Sequence, residues 1–218
     1  VWLAPRRTGR GGSDVASLLG LSPWRTPYPV WEHKTGRGED QDDTPALYWG
    51  RLLEDPIRQA YADSTGLTVT KPHCMYSSVT HPFMHANLDG IASDGRLVEF
   101  KTTSRADGWG EEGSDEIPEY YQTQVQHYMA VMGAEQTDIG VIIAGRDFRI
   151  YTVPADKELQ EMLINQEERF WALVKADTPP EVSTSEDASR RWRTATAKKT
   201  VPAEAQILQD RQHLCSIR

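Results

Sequence analysis

The chain has 218 residues, of which 38% are hydrophobic and 26% charged, so it can bury one core as an ordinary globular domain. The net charge of −8 argues against a protein that coats DNA through a basic stripe, although a locally basic groove can sit on an acidic protein. No stretch is apolar and long enough to span a membrane, and no secretory pattern opens the chain, so we expect a cytoplasmic protein.

The first half of the chain predicts helices followed by strands. Residues 12–20 predict a helix with Ser13 as its N-cap and Gly20 after its end, and residues 28–34 predict a second helix. Apolar residues at helical spacing predict a long helix over 44–64, which Pro56 should kink or split. Strands are predicted over 67–70, 74–79, 84–92 and 96–102.

The second half predicts a polar loop over 104–116, a helix over 118–132, strands over 137–144 and 148–153, and a helix over 156–176. After Pro179 and Pro180 the composition turns polar and the periodicity fades. We therefore predict one domain over 1–180 and a polar C-terminal extension, either a tail or a docking segment, over 181–218. The order of elements predicts an α/β fold with a small mixed sheet flanked by helices.

The hairpin around residues 93–95 can close in two registers. A two-residue loop at Asp94 and Gly95 sets Asp89 opposite Phe100 and mixes apolar and charged groups on both faces. A three-residue loop with Gly95 in the left-handed position sets Asp89 opposite Glu99. This second register sorts the faces, so we predict it. The core face then carries Ala86, Leu88, Ala92, Val98 and Phe100, and the other face carries His85, Asn87, Asp89, Glu99 and Lys101.

In this register two carboxylates and a lysine converge across neighbouring strands. Close carboxylates repel each other, and a divalent cation with a preference for oxygen ligands, such as Mg²⁺, resolves the repulsion. Lys101 could then orient or deprotonate a water for attack on a phosphate. A solvated face with an ordinary ion pair explains the hairpin equally well, so from these residues alone both interpretations stay open.

Two further features accompany the hairpin. Glu54 lies within the apolar stripe of the long helix, where a carboxylate is costly to bury without a cation, unless it sits at the edge of the stripe. Gln124 and Tyr128, four residues apart, share one face of the 118–132 helix, and Tyr128 could simply be a core residue.

Taken with the hairpin, this set resembles the PD-(D/E)xK nuclease superfamily, and specifically its YqaJ-type viral recombinase or lambda-exonuclease-like family. The resemblance covers roughly residues 2–150 and follows the order of the family's motifs. The matching blocks are WLAPRRTGRGGSDVASLLGLSPW, WGRLLEDPI, HANLDG, VEFKT and YYQTQVQHYM.

The resemblance implies a metal-dependent DNA exonuclease. Asp89 and Glu99 would bind Mg²⁺ (or Mn²⁺ in its place), Glu54 would support a metal directly or through water, and Lys101 would act on the attacking water. Gln124 would position the lysine, the water or the DNA, and Arg6 and Ser13 would hold the 5′-phosphate of a DNA end. Arg10 stands where the family usually has an apolar residue, so we do not carry the detailed shape of this phosphate pocket over from the family.

The family also implies 5′→3′ resection of linear double-stranded DNA for phage-type recombination, an annealing partner protein and a homo-trimer. Trp24 could stack on a frayed base or anchor its turn, and His85 could lie near the metal or be structural. Two alternative functions remain: an endonuclease of restriction or repair type, and a non-catalytic DNA-binding module on the same fold.

Overall fold

The computed structural model describes residues 9–38 and 44–192. Six helices in these ranges are α1 (Gly12–Leu18), α2 (Pro27–Lys34), α3 (Pro45–Thr65), α4 (Glu119–Met132), α5 (Lys157–Lys175) and α6 (Ser185–Arg191). The strands are β1 (Arg10–Gly11), β2 (Val69–Thr70), β3 (Tyr76–Ser77), β4 (Met84–Ala86), β5 (Gly90–Ala92), β6 (Leu97–Thr103), β7 (Gln136–Ile143) and β8 (Asp147–Pro154). The predicted α/β fold with a mixed sheet and flanking helices is confirmed.

The larger sheet has five strands in the order β2-β5-β6-β7-β8. Strand β6 runs parallel to β7, while the other neighbouring strands of this sheet are antiparallel. A parallel pair needs a long crossover connection, and here the connection contains α4. The sheet is therefore mixed because α4 carries the chain from the end of β6 back to the start of β7.

A smaller sheet, in the order β1-β4-β3, forms beside it. The single strand predicted over 84–92 is wrong, because the chain leaves β4 after Ala86 and enters the larger sheet only at Gly90. The prediction that the five apolar residues of the hairpin share one core face is wrong for the same reason. Ala86 and Leu88 pack in one apolar cluster with Leu97, whereas Ala92, Val98 and Phe100 pack in another.

Both faces of the larger sheet are covered. Helix α4 contributes Val125, Tyr128 and Met129 to the cluster that contains Leu97, Ile139 and Val141. Helix α3 contributes Ile57 and Tyr61 to the cluster on the Val98 and Phe100 side. Alternate residues of a strand point to opposite faces, so Glu99 and Lys101 project on the α4 side. Both faces of β6 are therefore covered, and the alternative in which Glu99 and Lys101 lie on a solvated face is wrong.

Two details of the helices differ from the sequence prediction. Pro56 is predicted to kink the long helix or to split it; helix α3 runs without interruption through Pro56, so the split is wrong. Pro56 is exposed there, which leaves the carbonyl that has lost its N–H donor on the solvent side. The predicted N-cap role of Ser13 is also wrong: Gly11 is the N-cap of α1, and Ser13 is the second residue inside the helix.

Part of the C-terminal extension packs on the core. The Asp187 carboxylate in α6 accepts hydrogen bonds from Thr26 Oγ1 at 2.6 Å and from Ser183 Oγ at 3.0 Å. Asp187 is only 1% exposed. Asp187 thus ties α6 to the start of α2. Among the helices described, none combines the length and the apolar composition needed to cross a membrane.

Candidate active site

The predicted register of the β5–β6 hairpin is confirmed. Gly90 pairs with Val98 and Ile91 with Leu97, so continuing the ladder sets Asp89 opposite Glu99. The loop has three residues, and Gly95 occupies its third position with φ +93°. A left-handed backbone there is easy only for glycine. The turn chemistry of residues 93–95 therefore fixes which side chains meet four residues away.

Asp89 stands at the point where the chain crosses from the small sheet to the large one. Its Oδ2 accepts a hydrogen bond from the backbone N–H of Phe100 at 3.0 Å, which holds the side chain against β6. Burial raises the pKa of Asp89, and the charge of Glu54 raises it further, while Lys101 opposes this rise. The carboxylate is thus desolvated and close to other charges.

Glu99 is the most buried acidic group of the cluster, at 3% exposure. Its Oε1 accepts two hydrogen bonds, from Lys101 Nζ at 2.5 Å and from Gln124 Nε2 at 2.7 Å. Burial, together with the charge of Asp89, raises the pKa of Glu99 to about 8. The site as it stands therefore holds a carboxyl group that resists ionisation.

The second oxygen of this carboxyl group, Glu99 Oε2, is buried and has no hydrogen-bond partner among the described residues. An unsatisfied buried oxygen is costly, and two carboxylates that face each other add repulsion. A divalent cation between Asp89 and Glu99 would remove both costs. No three His, Cys, Asp or Glu side chains in the described ranges stand ready to hold a metal alone. Mg²⁺ needs no such cage, since it commonly binds through one or two carboxylates, waters and substrate phosphates.

Lys101 lies between the two carboxylates and an aromatic ring. Burial alone would lower the pKa of Lys101, but the charges of Glu99 and Asp89 outweigh burial and raise it. Its ammonium lies 4.8 Å from the centre of the Tyr121 ring, within the range of a cation–π contact. The side chain is consequently charged and held in place, with one face towards the carboxylates.

Glu54 reaches the same cluster from α3. Its charge raises the pKa of both Asp89 and Glu99. Its own carboxylate is paired with Arg58, at 2.8 Å, and with Lys71. The predicted cost of burying this acid is therefore offset by two cations. Glu54 therefore faces the cluster as a carboxylate that already has two cationic partners.

Gln124 and Tyr128 connect the cluster to α1. Gln124 Nε2 donates to Tyr128 Oη at 3.1 Å as well as to Glu99. A Cβ built on Gly12 would lie 2.7 Å from Tyr128 Cε1 and 2.9 Å from the Gln124 carbonyl oxygen. Only glycine allows α1 to approach α4 so closely. The exposed Ser13 follows directly, so α1 begins beside the residue that holds Glu99.

The remaining predicted residues lie in different places. His85 is buried in β4, its Nε2 donates to the Pro82 carbonyl at 3.2 Å, and its ring lies against Gly9. Burial lowers its pKa. One ring nitrogen is thus bonded, while Nδ1 is buried and has no hydrogen-bond partner among the described residues. Trp24 is 68% exposed and touches the ring of Tyr120. Arg6 lies outside the described residues.

Sequence reasoning missed three contributors: Gly12, Tyr121 and the Phe100 N–H. Tyr121 precedes Gln124 by three residues, and this spacing places both on one side of a helix, so the YYQ sequence could have identified it. The other two depend on how α1 meets α4 and how Asp89 turns back onto β6. No local pattern encodes either contact.

Sequence and structure comparisons point to one family. A protein-family model described as the YqaJ-like viral recombinase domain matches residues 1–135. The chain is also 37% identical, over 174 residues, to the protein named uncharacterized protein YqaJ of Bacillus subtilis (strain 168). That alignment covers 78% of this chain and 54% of the relative, so the chain spans about half the length of that relative.

Solved structures share the fold. An alkaline exonuclease (LHK-Exo) from Laribacter hongkongensis matches with a TM-score of 0.65 and 21% identity, over 81% of this chain and 92% of that one. A putative exonuclease from Eubacterium rectale matches with a TM-score of 0.63 and 16% identity, over 92% and 93% of the two chains. The fold is that of the phage-type alkaline exonucleases. Together with the matched family model, these findings show that the chain belongs to the YqaJ-like viral recombinase family.

Proposed function

We propose that this protein is a Mg²⁺-dependent DNA exonuclease that degrades one strand of linear double-stranded DNA from its 5′ end. The observation that carries the proposal is the buried Glu99 Oε2, which finds no hydrogen-bond partner in the part of the chain that the structure describes, with Asp89 opposite and the Lys101 ammonium beside it. A cation bound at this oxygen would stabilise the buried carboxyl group, and Lys101 is already held beside it as a donor. Mn²⁺ is expected to substitute, since it accepts the same oxygen ligands.

Phosphodiester hydrolysis fits the chemistry of these residues. The metal, when bound, would supply Lewis-acid stabilisation of the charge that develops on the phosphate. Lys101, charged and fixed by Glu99 and Tyr121, would position the attacking water or a phosphate oxygen. Gln124 would hold Glu99 in the rotamer that keeps Oε2 directed to the cation. Water adds to phosphorus, the P–O3′ bond breaks, and the released O3′ takes up a proton.

Relatives support an exonuclease over other nucleases. The Laribacter protein is described as an alkaline exonuclease, and it has also been solved in complex with dAMP. A nucleoside monophosphate is the product expected when a strand is shortened one nucleotide at a time. Recognition of the DNA end by Arg6 and Ser13, a homo-trimer and a single-strand annealing partner remain parts of this proposal that rest on the family resemblance.

The test compares linear duplex DNA that carries 5′-phosphate or 5′-hydroxyl ends with closed circular DNA, in Mg²⁺, Mn²⁺ or EDTA. We expect loss of linear DNA alone, in either metal, and faster loss from 5′-phosphate ends. Lys101→Ala should lower the rate by about 100-fold or more. Lys175→Ala, which removes an exposed lysine at the end of α5, is the matched control and should leave the rate unchanged.

Other outcomes lead to different conclusions. Cutting of closed circles would replace the proposal with an endonuclease. Absence of cleavage with every metal, by a protein that folds, would contradict catalysis and leave a non-catalytic module on the same fold.

A further inference from the structure

Three aromatic rings, which we call the aromatic row, lead from Lys101 to the protein surface. The row consists of Tyr121, Tyr120 and Trp24. Lys101 Nζ lies 4.8 Å from the centre of the Tyr121 ring, and the centres of the Tyr121 and Tyr120 rings are 4.4 Å apart. The Tyr120 and Trp24 ring centres are 5.0 Å apart. The row therefore joins the candidate active site to solvent through continuous contacts.

The outer end of the row is unusually exposed. Trp24 is 68% exposed and meets Tyr120 with an interplanar angle of 81°, an edge contact that leaves most of the indole uncovered. Its backbone is nevertheless fixed, because the N–H groups of Trp24 and Arg25 both donate to Ser22 Oγ, at 3.2 and 3.3 Å. A ring that mainly anchored its turn would bury its surface. This ring is held out towards solvent.

A groove of about 600 Å³ starts at Trp24 and Arg25 and runs along α6. This volume is enough for a ligand of nucleotide size. Two of the carboxylates that line it, Glu32 and Glu186, pair with Arg190 at 3.4 and 2.9 Å. The charge of Arg190 is therefore balanced by these two carboxylates, so Arg190 attracts a phosphate only weakly. Three acidic side chains, Glu32, Glu186 and Asp187, line the groove together with Arg25 and Arg190, so it suits an uncharged, flat group better than a phosphate.

We propose that the Trp24 ring stacks on a nucleobase of the DNA strand whose phosphate lies at Lys101. The inference rests on the proposed function, because it takes DNA as the ligand. Every nucleobase has an aromatic face, so stacking on Trp24 holds the strand without reading its sequence. Successive bases along one strand of B-DNA are about 3.4 Å apart, and the row thus reaches a base a few nucleotides from the cleaved bond. Trp24 acts as a positioning residue that keeps the strand in line with the site.

The experiment measures binding of the whole chain, in EDTA to prevent hydrolysis, to two single-stranded hexanucleotides. One carries bases, and the other is abasic at every position with the same phosphates. Stacking on one aromatic ring should make the wild-type protein bind the first probe about 5- to 100-fold more tightly than the second. Trp24→Ala should reduce this ratio to about one, and Trp24→Phe should keep most of it.

The matched control is Trp192→Ala, which removes an equally exposed tryptophan, 64% exposed, at the end of α6 and outside the aromatic row. It should keep the wild-type ratio. Circular dichroism of each variant verifies the fold. The inference would be overturned if the wild-type protein bound the two probes equally tightly, or if it bound neither. A Trp24→Ala protein that keeps the ratio, or that binds both probes more weakly to the same extent, would overturn it too.

The two proposals can fail separately. Metal-dependent cleavage by a protein that does not distinguish the probes would overturn stacking alone. If the protein bound the probe with bases more tightly but never cleaved DNA, the proposed nuclease activity would be contradicted. Trp24 would then be part of a DNA-binding surface.

Discussion

Replacing Glu99 with glutamine should stabilise the metal-free protein. The carboxyl group of Glu99 has a pKa of about 8 in the fold, because of burial and the charge of Asp89, against an ordinary value of 4.5. At pH 7 the unfolded chain therefore ionises this group and the folded chain largely does not. Each pH unit between 4.5 and 7 corresponds to about 1.4 kcal/mol, so the mismatch costs about 3 kcal/mol. Glutamine keeps the Oε1 acceptor for Lys101 and Gln124 without this cost.

The effect depends on pH with a definite sign. A carboxyl group with a raised folded pKa costs nothing below its unfolded pKa and costs more as pH rises towards the folded value. In EDTA, the stability advantage of Glu99→Gln should therefore be absent below pH 4.5 and grow until about pH 8. Millimolar Mg²⁺ should reverse the order, because the cation stabilises the wild-type protein by binding the folded state and the variant has lost a ligand.

Urea denaturation followed by circular dichroism, at several pH values with EDTA or Mg²⁺, measures both effects. The matched control is Asp138→Asn. Asp138 is also buried, but it accepts hydrogen bonds from Tyr61, Arg96 and Thr152, so its neutralisation should destabilise the protein by about 1–3 kcal/mol. If Glu99→Gln destabilised the metal-free protein at neutral pH as Asp138→Asn does, the ionised Glu99 would be satisfied and the argument for a metal there would be refuted.

Two further substitutions test the support of the site. Gly12→Ala should cost about 1–3 kcal/mol in the free energy of unfolding and lower the cleavage rate, since its Cβ would overlap the Tyr128 ring and the Gln124 backbone. Gly11→Ala, whose Cβ meets no atom of the described residues within 4 Å, should do neither. Gln124→Leu should lower Mg²⁺-dependent cleavage by about 10- to 100-fold with the fold retained, because Glu99 loses its neutral donor; Tyr128→Phe, which keeps that donor, should stay close to wild type. Equal cleavage rates for Gly12→Ala and Gly11→Ala, or for Gln124→Leu and Tyr128→Phe, would contradict these contacts.

The sequence predicted the pairing of Asp89 with Glu99 because this pairing depends on a local rule. A three-residue turn needs a left-handed third residue, and Gly95 is placed to supply it. Once that loop is fixed, the twofold periodicity of a strand determines every opposite pair. The same reasoning located Gln124 and Tyr128 on one face of a helix, and their hydrogen bond confirms it.

The environment of these residues could not be predicted in the same way. Whether the Glu99 face was solvated or enclosed depends on α4, which returns over β6 more than 20 residues later in the chain. The break between β4 and β5 depends on two sheets that meet at residues 87–89, and no alternation pattern marks such a point. The N-cap of α1 is Gly11 because strand β1 leads directly into that helix. Each of these features is a long-range consequence of packing.

The cost of the carboxylate cluster bears on the choice between an enzyme and a non-catalytic module. A chain that only bound DNA would gain stability by placing neutral or apolar groups where Asp89 and Glu99 face each other, since buried charges rarely repay their desolvation. Here the fold instead supplies two donors to one oxygen of Glu99, whereas the other oxygen is buried and receives no donor from residues 9–38 or 44–192. Such strain is useful only if a ligand relieves it. A cation between the two carboxylates would relieve this cost and, in the proposed nuclease, would also stabilise the charge that develops on a phosphate. The arrangement therefore favours the proposed enzyme over a non-catalytic module.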